Sequence, residues 1–208
     1  MNSIAIECEY GSGGSDVGQL VASKLNMPFY DCRALIEAAR NFRFPMTLLE
    51  NYELDESNNV LKCLALIAKQ SNGENISKIE EVFSAIQKTI IELDKQRPSV
   101  FVGCSASRAL AGKNVKSIFI CASDMKDRIK RVVEKKSVPI EQAASIICKE
   151  DAYRETYFTL CAKESWHDCS CYDMTLNTSM IPTTLCAEIV VKEMRKNKAE
   201  EIGTTFEG

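Results

Sequence analysis

The stretch that most limits what this chain can fold into runs from Ser3 to Ser15. An apolar, β-rich run (SIAIEC, Ser3 to Cys8) passes through Glu9-Tyr10-Gly11-Ser12-Gly13-Gly14-Ser15 and straight into a helix-period segment carrying Val17, Leu20, Val21 and Leu25. A strand, a glycine-rich turn and a helix N-terminus in that order cradle an anion, because unpaired backbone N–H groups and the positive helix end converge on one point. Ser15 or Asp16 is available as the N-cap of the helix.

The rest of the chain repeats the alternation. Ser99 to Cys104 (SVFVGC) and Ser117 to Ala122 (SIFICA) read as buried strands, Asp173 to Thr178 (DMTLNT) as an edge strand, and Met27 to Tyr30 as a short strand after the first helix. Helices are expected over about 124–136, with the stripe Met125, Ile129, Val132 and Val133, and over about 182–196, with a fraying tail at 197–208. Such a pattern defines an α/β protein with a parallel sheet of about five strands. Residues 40–95 show helical periodicity without a strand signal, in Leu61, Leu64, Leu66 and Ile67 and again in Ile79, Val82, Phe83, Ile86 and Ile90. They read as a helical insertion.

Composition removes several classes of function. The 208 residues carry a formal net charge of −3, and a pI near 5.4 is not that of a general nucleic-acid binder. No apolar run reaches the roughly 20 residues that span a bilayer, and Met1-Asn2-Ser3-Ile4 does not begin a signal peptide, so a cytosolic protein without membrane partners is expected. The ten cysteines are scattered and read as reduced thiols, with Cys8, Cys104 and Cys121 ending apolar runs. His167-Asp168-Cys169-Ser170-Cys171 is the one dense group, but no second pair completes a zinc site. Basic charge is concentrated: residues 113–163 hold 11 Lys or Arg against 7 Asp or Glu, whereas residues 1–60 hold 4 against 9.

Set against the P-loop pattern G-x-x-x-x-G-K-[ST], the best register places Gly13 on the last glycine, Gly14 on the lysine and Ser15 on the hydroxyl residue. The lysine is missing. The whole stretch Ile6 to Gly14, followed by Pro28-Phe29-Tyr30-Asp31, resembles the cytidylate-kinase-like branch of the nucleoside monophosphate kinases. The resemblance continues through Phe101-Val102-Gly103, Arg128-Ile129-Lys130-Arg131-Val132, Asp151-Ala152-Tyr153-Arg154, Trp166-His167-Asp168 and Tyr172-Asp173.

That resemblance implies a single kinase-like domain: a P-loop core (1–39, 96–125 and 171–196), a helical lobe for the acceptor monophosphate (about 40–95), a lid (about 126–165) and a tail. It implies ATP with Mg²⁺ on Gly11, Ser12, Gly13, Gly14, Ser15 and Asp16, with the Ser15 hydroxyl on the metal side. Arg128, Arg131 and Arg154 become the cationic clamp on the transferring phosphoryl group, the main requirement of such a reaction. Asp31 and Arg108 are the acceptor-side candidates, although Asp31 serves equally as a helix cap. Relatives usually carry a basic residue where this chain has Ser15 and an arginine where it has Cys104. Two functions therefore stand side by side: transfer of the ATP γ-phosphate to a pyrimidine nucleoside monophosphate such as CMP or dCMP, and a catalytically weakened relative that binds nucleotide or phosphate as a sensor or partner module.

Overall fold

The computed structural model describes residues 2–42 and 76–204. Five strands form one sheet: β1 Ser3–Cys8, β2 Phe29–Asp31, β3 Val100–Val102, β4 Val115–Cys121 and β5 Met174–Asn177. Their order is β2-β3-β1-β4-β5, and every pair is parallel. The first strand therefore lies at the centre, which explains its unbroken apolar character: all six of its residues are buried. The strand expected over Met27 to Tyr30 is shifted to Phe29–Asp31, because Pro28 has no N–H to give the ladder and its carbonyl instead accepts from Val100 N–H at 2.8 Å. The strand over Asp173 to Thr178 does lie at an edge.

Successive β1 side chains point to opposite faces, and each face has its own core. Ile4 and Ile6 pack with Val17 and Val21 of α1 (Gly14–Leu25) and with Val190 and Val191 of the C-terminal helix. Ala5 faces the other layer, built by α2 (Cys32–Asn41), α3 (Ile76–Gln96) and the short α4 (Ala106–Ala109). Val82, Phe83, Ile86 and Ile90 of α3 are buried there beside Phe101, so this part of the expected inserted lobe is a core layer. Leu61, Leu64, Leu66 and Ile67 lie outside the described residues.

Beyond β4, α5 (Met125–Lys136) and α6 (Ile140–Ala162) form a helical pair held by Val132, Ala143 and Ile147. Asp124 caps α5 by accepting from Lys126 N–H at 2.8 Å. A third apolar cluster, Phe119, Phe158, Trp166 and Tyr172, joins α6 to β4. The last helix, α7 (Thr183–Thr204), passes the expected end at 196, since Lys198, Ala199, Glu200 and Glu201 are good helix formers with no proline to stop them.

One cysteine reading is corrected. Cys32 and Cys104 are joined as a disulfide, with Cα atoms 5.8 Å apart and a separation of 72 positions in sequence. The cause is topological: β2 and β3 are parallel with Asp31 level with Val102, so the residues just past both strand ends are neighbours. Cys8, Cys121, Cys148, Cys169, Cys171 and Cys186 are free.

Candidate active site

The glycine turn sits at the carboxyl end of the central strand, where ligands enter open parallel sheets. Gly11 and Gly13 are left-handed, at φ +78° and +83°. Gly13, rather than Ser15 or Asp16, is the N-cap of α1, and no side chain caps the helix. The first helical hydrogen bond runs from Val17 N–H to Gly13 O at 3.0 Å, so the N–H groups of Gly14, Ser15 and Asp16 lie ahead of the ladder. The turn opens into a cleft with Gly11, Gly13, Gly14 and Ser15 on its floor. Arg131, Lys135 and Lys136 from α5 form one wall, and Arg154 from α6 contributes to another.

The expected site residues separate into groups. Ser12 is fully buried; its Oγ donates to Glu9 O at 2.8 Å, its N–H goes to the same carbonyl, and its carbonyl accepts from Thr178 Oγ1 at 2.6 Å. Both its hydroxyl and its N–H are spent inside the fold. Asp16 is exposed on the rim and pairs with Lys135 at 3.6 Å.

The three clamp arginines also differ. Arg131 lines the cleft and donates to Gly11 O (3.2 Å) and to Thr178 Oγ1 and O (3.3 and 3.2 Å). Arg154 reaches the cleft over the Tyr10 ring, 5.2 Å from its centroid, and donates to Cys8 O at 2.6 Å and Cys8 Sγ at 3.2 Å. Burial opposes the charge on Arg154, but Cys8, Asp151 and Glu150 outweigh it and hold its pKa above the ordinary value. Arg128 is turned away. It is 5% exposed, donates through Nε to Tyr10 O at 2.9 Å, binds Asp151 and lies 3.7 Å from Glu9. Asp151 in turn accepts from Tyr10 N–H at 2.7 Å.

Neither acceptor-side candidate reaches this cleft. Asp31 caps α2, accepting from Ala34 N–H at 2.9 Å. Arg108 is bound to Glu164 and lies over the Phe158 ring at 5.8 Å. Sequence reading missed Lys135, Lys136, Asp151 and Glu9 as parts of the site. The spacing of Asp151 and Arg154, three residues apart on one helix face, carried a usable signal for the pair.

Mg²⁺ fits these surroundings as a companion of the nucleotide. Ser15 lines the cleft floor and brings a hydroxyl-bearing side chain to it, and among the described residues no group of three His, Cys, Asp or Glu could hold a metal on its own. Mg²⁺ is commonly held by one or two protein oxygens together with substrate phosphates and waters.

Comparison with known proteins agrees with this geometry. The pattern of the cytidylate kinase-like family matches residues 3–180. The chain therefore belongs to the cytidylate kinase-like family. Among solved structures it is similar to an uncharacterized protein from Eubacterium ventriosum, with 21% identity, TM-score 0.71 and coverage of 94% of this chain and 99% of the other. It is also similar to TT1252 from Thermus thermophilus, with 16% identity, TM-score 0.54 and coverage of 93% and 97%. No curated protein matches. Among the described residues no helix is long and apolar enough to cross a membrane.

Proposed function

We propose that this protein is a cytosolic nucleoside monophosphate kinase that moves the γ-phosphate of Mg²⁺-bound ATP to a pyrimidine nucleoside monophosphate of the CMP or dCMP type. The observation that carries the reading is the cleft itself: left-handed glycines and a helix N-terminus on the floor, and four cationic side chains, Arg131, Lys135, Lys136 and Arg154, on the walls. Phosphoryl transfer asks mainly for positioning and for positive charge around the transferring group, and both are present here.

The roles divide by position. N–H groups of Gly14, Ser15 and Asp16 bind the phosphate chain, the Ser15 hydroxyl meets the metal side, and Arg131 and Arg154 neutralise charge as it develops. Mg²⁺, held with the nucleotide on the Ser15 side of the cleft, would supply positive charge against the phosphates. Arg128 holds Tyr10 and Asp151 in place and so orients Arg154, which follows Asp151 by one helical turn.

The reading as a weakened binding relative is favoured by one observation: Gly14 stands where a P-loop has its lysine. A coupled assay of ADP release across nucleoside monophosphates decides between the two. Turnover of about 1 to 100 per second with CMP or dCMP establishes the kinase. ATP binding without ADP release for any monophosphate establishes the binding module.

A further inference from the structure

The lysine of the P-loop is not merely absent from this chain; the fold excludes it. A Cβ placed on Gly14 would overlap the Cβ of Cys8 and come within 2.7 Å of its Sγ. Cys8 ends the central strand, with Glu7 and Cys8 level with Phe119 and Ile120 of β4, so it cannot withdraw without breaking the ladder. An ammonium group cannot come from position 14, and position 15, where relatives usually carry a basic residue, holds a serine in this chain.

The cleft cations are not equally free to supply it. Arg131 already donates to the carbonyls of Gly11 and Thr178, and the charge of Lys135 is answered by Asp16 at 3.6 Å. Lys136 differs. It lines the cleft, its Nζ lies 5.9 Å from the centroid of the Tyr10 ring, and among the described residues no ion pair involves it. Arg154 shares that ring, at 5.2 Å; its hydrogen bonds go to the Cys8 carbonyl and thiol, and Asp151 and Glu150 act on its charge from α6. A single aromatic ring thus carries two cations, one on each of two helices. Like charges so placed repel, and an anion in the cleft relieves the repulsion.

We propose that Lys136, held with Arg154 on Tyr10, supplies the ammonium that the loop of this chain does not carry, and that it acts on the β- and γ-phosphates of a nucleoside triphosphate. This rests on the kinase reading above and names a catalytic residue for it. The lysine reaches the phosphates from the end of α5, across the cleft, instead of from the first turn of α1.

Titration calorimetry with Mg²⁺ and either ATP or AMP tests the assignment on the wild type, Lys136→Ala and Lys130→Ala. Lys136 and Lys130 are both exposed on α5, but Lys130 does not line the cleft, so it serves as a control for lost helix charge. Lys136→Ala should weaken ATP binding about 10- to 100-fold, the scale of one charge-assisted contact, and leave AMP binding within about twofold. Lys130→Ala should bind both nucleotides as the wild type does. A Lys136→Ala protein that binds ATP as tightly as the wild type, or that loses ATP and AMP affinity equally, overturns the assignment while the kinase reading stands. A wild type that binds no ATP overturns the kinase reading itself.

Discussion

Gly13 shows how much can depend on one hydrogen atom. At φ +83° a side chain is strained by the backbone alone, and a Cβ there would lie 2.8 Å from Thr183 Cγ2 and 3.8 Å from Arg131 Nε. Gly13→Val should therefore push α7 and Arg131 outward and lower ATP affinity by more than about tenfold, with about 1–3 kcal/mol of backbone strain besides. Calorimetry on the folded variant checks this, and unchanged ATP affinity would remove the turn from the binding site. Arg128 leads to the opposite kind of expectation. Its charge is consumed by Glu9 and Asp151 in a nearly buried setting, so Arg128→Ala leaves two carboxylates without their cation. We expect a loss of about 3 kcal/mol of stability in denaturant unfolding, and a stability equal to wild type would return Arg128 to the phosphoryl clamp. Sequence alone could not make this distinction. Arg128 and Arg131 are three residues apart on one helix, and only the carboxylates that α6 and the loop bring to Arg128 separate their roles.

At the scale of elements, the alternation of apolar runs and helical periods made the sheet legible, and the central strand most of all, because a strand buried on both faces has no polar positions to blur the pattern. The turn after β1 was legible because glycines are needed where φ is positive, as at Gly11 and Gly13. Less was visible wherever two distant segments meet. The Cys32–Cys104 pair, the capping role of Asp31 and the Glu164 partner of Arg108 all depend on strand order and loop placement, which no local spacing encodes. The end of α7 was missed because few apolar residues mark 197–204, although helix propensity persists there. The α5–α6 pair gives an element-scale test, since its seam is small. Ile147 is fully buried between Val132 and Ala143, and Ile147→Val should loosen the pair by about 0.5–1.5 kcal/mol. Hydrogen exchange should then quicken in residues 125–162 while β1 and β3 keep their protection. Faster exchange throughout the sheet would show that the pair does not open as a unit of its own.

Among the described residues, Glu7 is an acid that the fold keeps from ionising. Glu7 lies on the central strand, 5% exposed, level with Phe119 of β4. Burial raises its pKa from 4.5 to about 8, against the pull of Arg154, the backbone N–H groups of Ala106 and Ser105, and Arg108. Between those two values the folded chain keeps a proton that the unfolded chain has released, so folding takes up a proton throughout the window. Stability must then fall as pH rises from about 4.5 to about 8 and level off above it. Glu7→Gln retains the shape of the protonated acid and removes the titration. Its unfolding free energy, measured in denaturant at half-unit steps of pH, should lack this contribution, so that the variant gains on the wild type steadily across the window and no further beyond it. Two curves that stay parallel from pH 4.5 to pH 8 would mean that Glu7 titrates alike in both states. In that case Arg154 would be facing a carboxylate at neutral pH, and part of the charge assigned to the phosphate cleft would already be neutralised from beneath.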